Sequence, residues 1–319
     1  MHRPPSDAAA PSATAEALES RILLSSAVRR GDVLRVNGDA GVDNVITVGY
    51  EDRDRETILV TINGTQTRIP ADDLEAVRIF GQDGNDTIAI DSSVRPFNRR
   101  TSVFGGAGDD VIRCGNERDY VEGQAGDDRI SLGHGRNFGF GYTGNDVIDG
   151  GDQRDFISGG GNGDSLSGGG DRDQIQGDNG DDLIRGGYED ERKNLNTNDG
   201  DGDGNDNDED DGGPSSEGDG SDLIFGGRGN DTIFGNTAKD VIFGQDGDDQ
   251  IDGGENRDEI FGMAGADTIT GGPDDDTIWG GAGTDVLRGG GGGGDINQGE
   301  LEDLDLFIQH VRPTIGIVF

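Results

Sequence analysis

The residue in this sequence best placed to do chemistry is aspartate, and what marks it is its spacing. From Gly105 the chain divides into blocks of nine, beginning GGAGDDVIR, CGNERDYVE, GQAGDDRIS and ending with GDNGDDLIR at 177–185. After an interruption the count resumes at Glu217 with EGDGSDLIF and runs to GGAGTDVLR at 280–288. The sixth position is Asp in 16 of the 17 blocks, the exception being Asn137. Carboxylates at a fixed interval, in turns that also offer backbone carbonyls, are oxygen ligands for a hard cation. The chain offers little for other chemistry. One cysteine (Cys114) and three histidines (His2, His134 and His310) leave few donors for a transition metal. No H-E-x-x-H, G-x-S-x-G or phosphate-binding loop occurs, so none of these catalytic constellations is available. The protein is expected not to be an enzyme.

The elements that must position these carboxylates follow from the rest of the block. The eighth position is Ile, Leu or Val in 16 of 17 blocks, Gly139 being the exception. A three-residue strand centred there points one side chain inward, so the blocks would stack a thin apolar column. The glycines of the first half supply the φ > 0 conformations and close backbone approach of tight turns. A low-complexity Gly/Asp linker would scatter its aliphatic residues over all phases, and this sequence does not. Apolar residues make up only 29% of the chain and the formal net charge is −40, values that ordinarily describe disorder. Periodicity overrides that reading, provided something neutralises the charge. A pI near 4.1 argues against nucleic acid and anionic membrane as partners. No run approaches the ~20 apolar residues of a transmembrane segment.

The blocks resemble the glycine-rich nonapeptide G-G-x-G-x-D-x-U-x of RTX, or hemolysin-type, calcium-binding repeats. The resemblance is dense over 105–288 and appears singly upstream as GDAGVDNVI (38–46) and GQDGNDTIA (81–89), the latter carrying Asp86. It implies an all-β fold, a right-handed parallel β-roll, in which six residues of each repeat turn and three form a strand. It also implies Ca²⁺ held between stacked turns.

If nine residues make half a coil, alternate blocks stack on opposite edges, and the two edges differ. On one, the fourth residue is Gly in eight of nine turns and the fifth is never basic, being Asp or Asn in six, among them Asp109 and Asp127. This glycine edge is expected to hold calcium through Asp110, Asp128, Asp146, Asp164, Asp182, Asp231, Asp249, Asp267 and Asp285, with Asp86, Asp109 and Asp127 as further ligands. On the other edge the fourth residue is Gly in two of eight turns, and the fifth is basic in six: Arg118, Arg136, Arg154, Arg172, Lys239 and Arg257. Two readings are open there. In one, the basic column pairs with Asp119, Asp155, Asp173, Asp240 and Asp258 as an ion-pair ladder in place of metal, a guanidinium matching a carboxylate through its planar fork. In the other, the basic residues face solvent and calcium binds through these carboxylates, with Asp222 and Asp276.

The stretch 186–216 interrupts one turn of the Arg-bearing edge, because the phase resumes correctly at Glu217. Within it, Asp199, Asp201 and Asp203 followed by Gly204 have the spacing of a calcium loop. A solvated acidic loop is the first reading, with weak calcium binding the second. Residues 1–30 read as a disordered N-terminal or sorting segment, in which Leu18–Ser25 resembles the LEPR-XLL motif of planctomycete surface proteins. Residues 31–104 read as strands and divergent coils capping the roll, with a hairpin at Asn63-Gly64. The apolar stretch within 289–319 reads as the opposite cap, or as a tail resembling a type I secretion signal. Phe225, Phe243, Phe261 and Trp279 recur every eighteen residues at the outward ninth position, either as ordinary strand residues or as a stacking platform for a glycan or cell-surface partner. The expectation is a calcium-folded structural or interaction protein, extracellular, secreted or on the cell surface. An adhesin-type binding module is the alternative.

Overall fold

The computed structural model describes residues 26–51, 56–93, 96–187 and 221–291, and the backbone of 296–298. The nine-residue period builds two long sheets of thirteen strands each. The first carries Ser26–Arg30, Val33–Asn37, Ala76–Asp83 and Arg100–Ala107, then every other strand as far as Ile296–Gln298. The second runs from Thr65–Pro70 through Thr57–Ile62, Val45–Tyr50, Thr87–Asp91 and Val111–Arg113 to Val286–Gly290. Through the repeats the chain crosses between the sheets at each turn, so within each sheet the repeat strands are parallel. Their register advances by one full coil: Val103 pairs with Val121, and Ile112 with Ile130. This is a parallel β-roll. At ~4.8 Å per strand, thirteen strands give a length of about 58 Å, longer than the 105–288 blocks alone provide.

Register also survives the interruption. Ile175 pairs with Ile224 and Ile184 with Ile233, so the coils close up as though 188–220 were not there. The eighth-position residues of both sheets meet between them. Val121, Ile157, Ile224 and Ile260 come from one sheet, Ile112, Ile148, Ile184 and Ile233 from the other, and all are buried. Each contributes about 1.5–3 kcal/mol by leaving water. One block compensates for itself: Gly139 leaves a gap in the column, and Leu132, standing where most blocks begin with Gly, fills it. A Cβ on Gly139 would lie 2.9 Å from Leu132 Cδ1.

Upstream of the repeats the same core continues through Leu34, Val36, Ile46, Val48, Ile58 and Val60. Here antiparallel strands join the sheets: Ser26–Arg30 on Val33–Asn37, and Thr57–Ile62 between Val45–Tyr50 and Thr65–Pro70. The expected hairpin turns through Asn63 (φ 50) and Gly64 (φ 80), the left-handed pair that matches strand twist. The motif at 18–25, the loop residues Asp199, Asp201 and Asp203, and the stretch 299–319 lie outside the described residues. Among the described residues no helix is long and apolar enough to cross a membrane.

Candidate calcium-binding turns on the two edges

On the glycine edge each sixth-position side chain folds back over its own turn. Its Oδ1 accepts the backbone N–H of the sixth residue one coil earlier: Asp110 donates to Asp128 at 2.7 Å, Asp128 to Asp146 at 2.8 Å and Asp146 to Asp164 at 2.8 Å. The series starts where Asn44 donates to Asp86 at 2.6 Å and ends where Asp267 donates to Asp285 at 3.1 Å. One oxygen of each carboxylate is therefore committed to the fold. The other is not. Oδ2 of Asp86, Asp110, Asp128, Asp146, Asp164, Asp182, Asp231, Asp249 and Asp267 is buried with no hydrogen-bond partner. It sits over the first residue of its own turn, where a Cβ on Gly105, Gly123, Gly141 or Gly159 would run into it. The leading glycine is what makes room for the carboxylate.

Burial raises these carboxyls against the opposing pull of the N–H bond. Asp110, Asp128, Asp182 and Asp249 are pushed up to about 7 and Asp164 to about 8. Asp146, Asp231 and Asp267 reach about 6. Asn137 shows that a neutral amide can supply the same acceptor, taking the Asp119 N–H at 2.9 Å. What an Asp adds is a second, negatively charged oxygen, and burying it without a partner is costly. A cation between the turns would account for that oxygen.

The backbone lines the same gaps. Fourth-position glycines take φ values open only to glycine, such as 120 at Gly108, 130 at Gly126 and 142 at Gly247. Their N–H groups bond to the next coil, Gly126 to Thr143 O at 2.9 Å. A Cβ on Gly126 would collide with the Gly108 carbonyl oxygen, so turn carbonyls face across the gap. Among the described residues no three His, Cys, Asp or Glu side chains converge. The available donors are therefore stacked carboxylate oxygens plus main-chain carbonyls, an all-oxygen set suited to Ca²⁺. The fifth position serves a different ladder, running the opposite way along the exposed rim. Asp127 N–H donates to Asp109 Oδ1 at 2.9 Å, and Asn145 N–H to Asp127 Oδ1 at 2.7 Å. That ladder explains the Asp/Asn preference there and keeps Asp109 and Asp127 at the exposed rim.

The Arg-bearing edge repeats the stack: Asp155 donates to Asp173 at 2.7 Å, Asp173 to Asp222 at 2.7 Å, Asp222 to Asp240 at 2.8 Å and Asp258 to Asp276 at 3.0 Å. Oδ2 of Asp155 and Asp258 is again buried and unbonded, and burial pushes both groups to about 8.

A family model described as the RTX calcium-binding nonapeptide repeat (4 copies) matches residues 76–89, 104–139, 133–166, 158–187, 218–251, 225–260, 234–269 and 261–296. The chain belongs to this family. Its repeats make it a calcium-binding protein, with Ca²⁺ as the cation that fits the oxygen-lined gaps. No curated protein matches the chain.

Among the described residues of this RTX roll, no ion pair joins a basic fifth-position residue to a sixth-position carboxylate. Arg257 pairs instead with the fifth-position Asp275 at 2.9 Å, Lys239 with Glu259 at 3.2 Å, and the Arg118 guanidinium lies 4.9 Å from the centre of the Phe138 ring. Elsewhere among the described residues Arg68 pairs with Glu51, His134 with Asp152 and Arg228 with Asp246, none of them a sixth-position carboxylate. The reason is geometric: the sixth side chain folds in over the turn while the fifth leaves it on the outside. The first two turns of this edge are distinct. Cys114 replaces the leading glycine, and both oxygens of Asp119 are bonded, to Thr101 N–H at 3.1 Å and Gly115 N–H at 3.3 Å. Asn137 follows without a charge. The surplus oxygens of this edge therefore begin at Asp155.

The aromatic column also differs from expectation. Phe225, Phe243, Phe261 and Trp279 stack at 5.1, 4.9 and 4.5 Å between ring centres. Phe243, Phe261 and Trp279 are buried, at 1%, 1% and 5% exposure. Alternation along the strand gives the outward direction, but it does not reveal what covers that face.

Proposed function

We propose that Ca²⁺ is held between successive turns on both edges. The glycine edge would use Asp86, Asp110, Asp128, Asp146, Asp164, Asp182, Asp231, Asp249, Asp267 and Asp285. The other edge would use Asp155, Asp173, Asp222, Asp240, Asp258 and Asp276, which share one stacking register. The observation that carries this is the row of buried, unbonded Oδ2 atoms from Asp86 to Asp267 on the glycine edge, matched on the other edge by those of Asp155 and Asp258. When bound, the ion supplies the positive charge that the buried carboxylates lack. The chain's own residues do the rest: glycines open the space, Oδ1 fixes each carboxylate, and the aliphatic column holds the coils together.

Binding free energy then becomes folding free energy. Extracellular calcium modules bind at ~10⁻⁴ to 10⁻³ M, so this chain would stay unfolded in a calcium-poor cytoplasm and fold after export. A secreted or cell-surface structural role follows, consistent with the LEPR-XLL-like segment. An adhesin reading through the Phe225–Trp279 column is less favoured, because three of its four rings are buried.

Far-UV circular dichroism during a calcium titration out of EDTA tests the proposal, with magnesium as control. A cooperative rise in strand signal with calcium alone is expected. Full strand content in EDTA at neutral pH would overturn it.

A further inference from the structure

The rim of the Arg-bearing edge is a cationic column. Asp119 N–H bonds to Asn137, Asn137 N–H to Asp155 and Asp155 N–H to Asp173, each one coil further on. The residues just before them, Arg118, Arg136, Arg154 and Arg172, therefore fall in line about 4.8 Å apart, and all four are exposed. The Arg118 guanidinium rests over the Phe138 ring. Among the described residues, Arg136, Arg154 and Arg172 meet no carboxylate. Like charges this close repel even in water, so the column is unsatisfied within a single chain whose formal net charge is −40. The opposite rim has the reverse sign. There Asp109, Asp127, Asp181 and Asp248 are exposed, and Oδ1 of each accepts an N–H from the next coil, from Asp127, Asn145, Asn230 and Ala266 at 2.7–2.9 Å. Those bonds hold the carboxylates along the rim at the same one-coil pitch. They have no cationic partner among the described residues either.

We propose that the Arg rim of one roll docks on the Asp rim of a second copy of this chain, the two rods lying side by side and pointing the same way. Sign and spacing both select that partner. The two rims belong to one coil repeat, so their pitches match along the whole length, whereas an unrelated polyanion would need that spacing by coincidence. A guanidinium fork also suits a carboxylate already held by one oxygen. With a rod of about 58 Å and sheets ~10 Å apart, an edge offers roughly 600 Å² per partner. The total of about 1,200 Å² is the lower end for a specific interface. The stretch 188–220 enters this edge after Arg172, so the four-coil column ahead of it is continuous. Two different patches meet, which makes the contact heterologous. A sideways shift does not close on itself, so each added copy presents a fresh Arg rim and a fresh Asp rim, and the product is an open ribbon of parallel rolls. The ribbon requires a folded roll, and Ca²⁺ in the gaps would reduce the negative charge that keeps copies apart.

The test is sedimentation velocity of the full chain in calcium over a concentration series, at low and at high salt. Two full-length variants each remove one rim: Arg136→Gln/Arg154→Gln/Arg172→Gln, and Asp109→Asn/Asp127→Asn/Asp181→Asn/Asp248→Asn, in which Asn keeps the Oδ1 acceptor as Asn145 and Asn230 already do. Circular dichroism checks that each is folded. The unaltered chain should form species that grow with concentration and disperse in high salt. Each variant alone should be a monomer, and an equimolar mixture should give a one-to-one dimer that grows no further, because only one pair of matching rims remains. A full chain that stays monomeric at low salt would overturn the proposal. Association that survives in either variant, or a mixture that stays monomeric, would do the same by placing the contact elsewhere. Association that begins only on deleting 188–220 would assign the Arg column to the insertion, and a monomer that binds dextran sulfate through these arginines would assign it to a polyanion. A roll that is fully folded in EDTA would remove the calcium reading and leave this test in force.

Discussion

The two edges of the roll share a backbone stack and differ in what stands beside it. Both use the sixth-position Oδ1 to accept an N–H from the coil before, and both bury the second oxygen. On the glycine edge the fourth residue, Asn162 (φ 86) excepted, takes a conformation reserved for glycine, and an Asp/Asn ladder runs along the rim. On the other edge, Gln153 (φ 74), Asp171 (φ 67), Ala238 (φ 82) and Asn256 (φ 79) sit in the ordinary left-handed region, which L residues reach at modest cost. There the rim carries Arg. The buried carboxylate is thus the common device, and the residues around it set only the turn conformation and the outside surface. A basic residue next to an Asp in sequence neutralises it only if both side chains leave the turn on the same side, and here they do not.

The largest effect expected from this comparison is on pH dependence, because it involves both edges at once. In the calcium-free folded roll Asp110 titrates at about 7 and Asp155 at about 8, against ~3.9 for an unfolded Asp. Between those values the folded state binds more protons, so its stability falls with rising pH. The contribution is fully present below the unfolded value and is lost as pH climbs through the folded one. In EDTA, strand signal and thermal midpoint should rise on acidification from pH 8 to pH 5. In calcium the sign reverses, because the ligands must be ionised to bind. Circular dichroism melts across that range check both halves.

The fourth-position turn separates the edges next. Gly126→Ala forces a Cβ against the Gly108 carbonyl at φ 130 and should cost about 3 kcal/mol or more of stability in calcium. Asn256→Ala, where Ala238 already occupies the equivalent place, should cost less than about 1 kcal/mol. Equal losses in calcium-loaded denaturation would show that the two turns are not different.

Asp128→Asn and Asp155→Asn probe what the edges share. Each keeps the Oδ1 acceptor and removes the buried charge. Both should stabilise the calcium-free roll at pH 7 and weaken the calcium-loaded one by roughly 1.5–3 kcal/mol, the scale of an interaction with a charged group. If only Asp128→Asn showed the crossover, calcium would be confined to the glycine edge. The smallest effect is expected from Arg154→Ala, less than about 0.5 kcal/mol by denaturation. A loss of several kcal/mol would restore the ion-pair ladder.

Much of this was legible in the residue pattern. The nine-residue period carries the two sheets, the aliphatic column and the Asp stack, and Asn63-Gly64 marks its hairpin. The uninterrupted phase after Glu217 anticipates the pairing of Ile184 with Ile233. What escaped was direction and cover. Spacing does not say on which side of a turn Arg154 leaves, and alternation sends Phe243 outward without showing that the face is covered. Nor does it show that Oδ1 of each Asp is already engaged. Asn137 was the available clue, since an amide could replace a carboxylate there only if one oxygen acts as a plain acceptor. The linked departures at Leu132, Asn137 and Gly139 likewise become one compensated block only once Leu132 is seen filling the gap beside Gly139.

The claim that both edges hold calcium is tested most directly by counting ions. The glycine edge has nine gaps between the stacked carboxylates from Asp86 to Asp285, and the other edge five from Asp155 to Asp276. Equilibrium dialysis at saturating calcium, on protein lacking 188–220, should therefore return clearly more ions than the nine glycine-edge gaps allow. A plateau at or below nine, with the roll fully folded, would contradict it.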